Sequence, residues 1–210
     1  MSNASVAVTR DDDEVLVVDD ATIERTSGTF DAIEPFSGIA RVGRSYNFAG
    51  ALLPEHMTQD WPEAREPGMR TTSRPQIHDG EVFAEWYSIV RSIDLARDNY
   101  LMISLGAHLG VPIVNAHKIL QQYKPMPSHF IGVEADEHMS RLLQKNLVEN
   151  KIDPTAVTLN QVIISDSNQP QLFMTCPEPT GLNRVFNDEC VEDLCRVIQE
   201  KDIGDIVLDA

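Results

Sequence analysis

Residues 99–114 read "NYLMISLGAHLGVPIV", an apolar run set directly against a turn with two glycines four apart. Tyr100-Leu101-Met102-Ile103 predicts a strand, and Gly106 and Gly110 stand where the chain would turn into a helix. Gly106 would let the backbone turn sharply and approach a ligand with no Cβ in the way. Gly110 would let helix and strand pack closely. Alone, the stretch fits either a ligand-cradling loop or an ordinary tight βα corner, so its neighbours decide.

Upstream, "EVFAEWYSIVRSIDLARD" places Val82, Trp86, Ile89, Val90 and Ile93 at helical spacing. Downstream, "AHLGVPIVNAHKILQQY" carries Val111, Val114, Ile119 and Leu120 on a second helix, with Pro112 tolerable only near its first turn. "HFIGVEA" (129–135) predicts a strand ending in an acid. The helix after it starts at an Asp136 N-cap and has Met139, Leu142, Leu143 and Leu147 on one face. "AVTLNQVII" (156–164) predicts a third strand, followed by the turn "SDSNQPQ" and a ribbon at "LFMT". Val191, Leu194, Cys195 and Ile198 then keep helical spacing, and "DIVLDA" reads as another buried strand.

Strands and helices alternating in this way predict an α/β fold, a doubly wound, mostly parallel sheet with helices on both faces. The chain stops in what should be an internal strand, so it reads as truncated after the fourth core strand. Either it is a fragment lacking a C-terminal half, or a partner or second copy covers the edge. Before residue 81 the pattern differs. Residues 1–35 are acid-rich and read as a flexible arm with at most one short strand. Residues 36–80 are dense in proline and glycine and read as an irregular wrapping segment.

The chain has 210 residues, enough for one sizeable domain plus an extension. Its 33 acids against 17 bases give a net charge of -16, and no Lys/Arg cluster is present to hold a phosphate backbone. Nucleic acid is therefore a poor partner, and a small molecule or a protein fits better. No apolar stretch approaches the ~20 residues that span a bilayer. The N-terminus has no signal-peptide pattern, so a cytoplasmic address is the default expectation. Cys176, Cys190 and Cys195 show no paired spacing and read as free thiols. The six histidines form no HxxxH or HExxH pair, so a zinc site has little support.

In open α/β sheets, ligands bind outside the carboxyl ends of the strands. There the glycine turn would face Glu134, which ends the second strand 24 residues after Gly110. A carboxylate at about that distance accepts ribose hydroxyl protons in βαβ nucleotide sites. The GxGxxG pattern is absent, which weakens a pyrophosphate reading and disfavours an NAD-dependent oxidoreductase. It does not weaken a reading for S-adenosylmethionine (SAM), which has a ribose but no phosphate.

"MISLGAHLG", "FIGVEADEHMSRLLQKNLVENKI" and "VIISDSN" together resemble the FkbM-type SAM-dependent methyltransferases across roughly residues 80–210. The stretch around Glu134-Ala135-Asp136 is the most specific part. The resemblance implies a SAM loop at Ser104, Leu105, Gly106, Ala107 and Gly110, with Glu134 on the ribose and Ala135 beside the adenine. It places Ser165 and Asp166 near the adenine's polar edge, and Asp209 as a weak match to an acid near the methyl group. It also implies O-methylation of a small-molecule or sugar hydroxyl. One departure stands out: the family usually has Asp or Glu where this chain has Ser104, and that acid helps hold the methionyl ammonium. Ser104 therefore also suits a rival class, a non-catalytic binding or scaffold protein with a degenerate methyltransferase fold. The bland alternatives are a plain βα corner, a solvated strand-end acid at Glu134 and a turn-forming Asp166.

Overall fold

Strand and helix limits at the centre of the chain follow the local apolar pattern. The computed structural model describes residues 6–9, 15–18, 28–40, 44–54, 68–75, 81–165, 170–174, 184–185 and 195–202. Its first strands are β1 (Val6–Thr9), β2 (Val15–Val18), β3 (Ser37–Ala40), β4 (Arg44–Tyr46), β5 (Leu52–Pro54) and β6 (Gly68–Thr71). Then come α1 (Glu81–Leu95), β7 (Tyr100–Leu105), α2 (Val111–Tyr123), β8 (Ser128–Val133), α3 (Glu137–Glu149) and β9 (Val157–Asn160). The last elements are β10 (Ile163–Ser165), β11 (Pro170–Met174), β12 (Arg184–Val185) and β13 (Cys195–Asp202).

The protein is mixed α/β, with a three-stranded parallel sheet in the order β7-β8-β9 and, among the described residues, three α-helices. Tyr100 pairs with Ser128 and Leu105 with Val133, so the carboxyl ends of β7 and β8 are level. Side chains alternate across the sheet, as the two-residue period of a strand requires. Tyr100, Met102 and Phe130 join the main core, while Ile103, Ile131 and Val133 form a small cluster on the other face.

All three helices pack into the main core. It holds Trp86, Val90 and Ile93 of α1, Ile113, Val114 and Ile119 of α2, and Leu143 and Leu147 of α3. Each such aliphatic side chain contributes about 1.5–3 kcal/mol through burial. The helices expected on the second face are not found among the described residues. Val162 and Ile164 are what pack against Ile131 and Val133 there, and Leu101 and Leu105 of β7 are exposed.

Helix ends follow the sequence signals. The Asp136 carboxylate accepts the Met139 N–H at 2.9 Å and starts α3 as predicted. Pro112 sits in the first turn of α2, where its missing N–H costs nothing. The Lys124 ammonium donates to the carbonyls of Ile93, Asp94 and Ala96 and so closes the C-terminus of α1.

Residues 28–54 are built into the core: Phe30, Ile33, Phe48, Ala49, Ala51 and Leu53 are all buried. Phe48 meets Trp86 edge-on at 5.5 Å. The Asn150 amide acts as a substitute strand partner for β5, accepting from Leu52 N at 2.8 Å and donating to Leu52 O at 2.9 Å.

Three sequence expectations are corrected. The acidic N-terminal stretch holds two strands, β1 and β2, paired as a hairpin, rather than at most one. The predicted strand at 156–164 is two strands: β9 ends at Asn160, and β10 leaves the parallel sheet to pair with β13. Residues 195–202, expected to continue a helix, form β13. There the adjacent β-branched Val197 and Ile198 favour a pleated strand, and the whole strand is paired along β10 or β11. The predicted strand "DIVLDA" lies outside the described residues.

Candidate functional site

β7 ends at Leu105 and runs into a loop, 106–110, whose backbone is pinned on several sides. Gly106 has φ +62°, a conformation that L side chains rarely adopt, and a Cβ added there would meet nothing within 4 Å. The loop is therefore open on that side. Gly110 has φ +72°, and a Cβ there would lie 2.9 Å from Leu143 Cγ. The close approach that Gly110 permits is thus to α3, the helix after β8.

Ala107 N donates to Val133 O at 2.8 Å, and Gly110 N to Ala107 O at 2.7 Å. Asn146 of α3 donates from Nδ2 to Leu109 O at 2.8 Å. Glu134 completes the set. Its Oε2 accepts the His108 N–H at 2.7 Å and its Oε1 accepts the Asp136 N–H at 2.9 Å. His108 itself has φ +49°, a left-handed conformation that His, Asn and Asp adopt more readily than other non-glycine residues.

The structure therefore brings together Ser104, Gly106, Ala107, Gly110 and Glu134 at the carboxyl ends of β7 and β8. Ser104 is buried, and Leu105 points to the opposite, exposed face. Ala135 packs against Ile163 of β10. Ser165 ends β10, paired with Asp202 of β13. Asp166 and Asp209 lie outside the described residues.

One residue was missed. Asn160 ends β9, and its carbonyl accepts the Glu134 N–H at 3.0 Å. Its Nδ2 is buried with no hydrogen-bond partner, as is Nε2 of His108. Buried orphans of this kind are rare and mark strain, chemistry or a ligand contact. Reading 156–164 as one strand placed Asn160 mid-strand. The usable signal was a polar residue at a strand end in the same layer as Glu134.

The Glu134 carboxylate suits a ligand that donates hydroxyl protons, as a ribose does. Each Glu134 oxygen has a second lone pair beyond the backbone bond it accepts. A pyrophosphate fits less well. Phosphate sites at helix N-termini use the first backbone N–H groups, and Pro112 lacks one. Among the described residues no group of three His, Cys, Asp or Glu side chains is arranged to hold a metal ion. No described helix is long and apolar enough to cross a membrane. In comparisons with known proteins, no family model, curated protein or solved structure matches this chain.

Proposed function

We propose that this chain is a SAM-dependent methyltransferase with a Rossmann-like, doubly wound α/β domain. In this reading it methylates an oxygen nucleophile on a small molecule, such as a sugar hydroxyl. The observation that carries it is the Glu134 carboxylate at the tip of β8, bonded to the loop that follows β7. A ribose-binding acid and a glycine loop belong side by side at the carboxyl edge of such a sheet. The β7-β8-β9 order and the "GVEAD" sequence around Glu134 agree with this.

In this reading Gly106, Ala107 and Gly110 hold the cofactor from the loop, and Glu134 binds its ribose. When bound, SAM supplies a methyl group on a sulfonium. The chain's part is to align the acceptor oxygen and remove its proton. Asp209 is the candidate for that proton. A second reading, a non-catalytic binding protein, is favoured by Ser104, which puts no charge where a carboxylate would steady the ammonium of SAM.

Calorimetry of the full chain with SAM tests the proposal. The expected result is saturable binding that Glu134→Ala weakens by tenfold or more, about 1.4 kcal/mol. No binding to the wild type at millimolar SAM ends the reading, and binding unchanged by Glu134→Ala removes Glu134 from the ribose.

A further inference from the structure

One chain of hydrogen bonds runs from β5 to the candidate site, and every link donates in the same direction. Leu52 N donates to Asn150 Oδ1 at 2.8 Å, and Asn150 Nδ2 donates to Asn146 Oδ1 at 3.0 Å. Asn146 Nδ2 donates in turn to Leu109 O at 2.8 Å. The Leu109 carbonyl and the Gly110 N–H belong to one peptide group, and Gly110 N donates to Ala107 O at 2.7 Å. The Ala107 carbonyl shares its peptide group with the His108 N–H, which donates to Glu134 Oε2 at 2.7 Å. Two side-chain amides and two peptide groups thus stand head to tail between Leu52 and the Glu134 carboxylate.

The order of donors is imposed from the β5 end. Leu52 N can only donate and Leu52 O can only accept, so together they fix which way the Asn150 amide faces. With its oxygen taken by Leu52 N, Asn150 meets Asn146 with its nitrogen. Asn146 answers with Oδ1, and its own Nδ2 is left for Leu109 O. The two residues lie one helical turn apart on the same face and are 1% and 3% exposed, so their amides are shut off from water. Aligned hydrogen bonds at low dielectric strengthen one another. We infer, resting on the reading above, that Asn146 is a positioning residue of the ligand site. It holds the loop peptides whose last N–H orients Glu134, and it makes the β4–β5 hairpin part of the binding machinery.

The test is Asn146→Asp in the full chain. An aspartate keeps an oxygen for Asn150 Nδ2, but it can donate to Leu109 O only as the protonated acid. Burial raises the pKa of a carboxyl group, so the variant regains its donor as pH falls and loses it as pH rises. Relative to wild type at the same pH, SAM affinity should be nearly equal at about pH 5.5 and about tenfold weaker at about pH 8. Without ligand at the higher pH, the His108 and Gly110 amides should exchange hydrogen about tenfold faster than in wild type. The Phe130 amide, on the central strand of the sheet, should not. A lower Tm with wild-type affinity and wild-type exchange in the loop would make Asn146 merely structural and overturn the inference. If Asn146→Asp does not fold, Asn146→Ala, which buries no charge, is read at a single pH. Weaker SAM binding with faster loop exchange supports the inference there, and wild-type values overturn it. A wild type that binds no SAM removes the methyltransferase reading, and the ligand-free exchange then decides the role of Asn146.

Discussion

Glu134 and His108 are 26 residues apart in sequence, and a 2.7 Å hydrogen bond joins the carboxylate of one to the backbone N–H of the other. The bond ties the end of β8 to the loop after β7. The second Glu134 oxygen takes the Asp136 N–H, so one side chain serves two backbone donors. Glutamine has a single acceptor oxygen and cannot serve both. Glu134→Gln should therefore lose about 1–3 kcal/mol, the cost of one unsatisfied donor. Glu134→Ala, losing both bonds, should cost more. Urea melts of the two variants check the order, and equal stability of wild type and Glu134→Gln would show that the carboxylate does not brace the loop.

Gly110 packs against Leu143 so closely that a methyl group has no room, and its φ of +72° is unfavourable for any L side chain. Gly110→Ala should cost about 1–2 kcal/mol for the backbone conformation alone, with the contact adding to it. Leu143→Ala creates a cavity in its own right. In the double variant the two penalties should add to less than their sum, because the clash is gone. Strict additivity in a double-mutant cycle would show that the two positions are not coupled.

Asn150→Ala should be among the most damaging polar substitutions in the chain. It leaves both Leu52 N and Leu52 O without their buried partner. At about 1–3 kcal/mol for each unsatisfied group, the total loss is about 2 kcal/mol or more. A shift of that size is readable as a drop in the denaturant midpoint. A midpoint within error of the wild type would mean that β5 does not depend on this amide.

His117 lies against Phe130 with ring centroids 6.2 Å apart, and burial, assisted by neighbouring Lys118, holds its imidazole below the usual histidine range. The unfolded chain then binds a proton more readily than the folded one. Stability from this group is full above about pH 6.5, the ordinary histidine value, and falls as pH drops through the lowered folded value. Between pH 7.5 and 5.5 the wild type should lose more in Tm than His117→Leu. Parallel pH profiles for the two proteins would refute the role of His117.

The centre of the fold was legible because its signals are local. Tyr100 to Leu105 form the predicted strand, Asp136 caps the predicted helix, and Pro112 falls in a first turn. Glu134 and the loop beside it were legible for the same reason. Asn160 was not, because a short break after it is invisible in a run that stays largely apolar on both sides. β13 was misread because Cys195 and Ile198, three apart, suit a helix as well as a strand pairing with distant β11. The burial of Phe48 and Leu53 was hidden by the density of proline around them, and their place in the core depends on partners far along the chain.

The Asn150 grip on Leu52 spans 98 residues, and that span has a consequence during synthesis. At about 5–20 residues per second, the ribosome needs roughly 5–20 s after adding Leu52 to add Asn150. For that interval Leu52 N and Leu52 O lack the amide that pairs with them in the folded chain. The Leu52 backbone is thus made early, and its partner Asn150 arrives only with the end of α3.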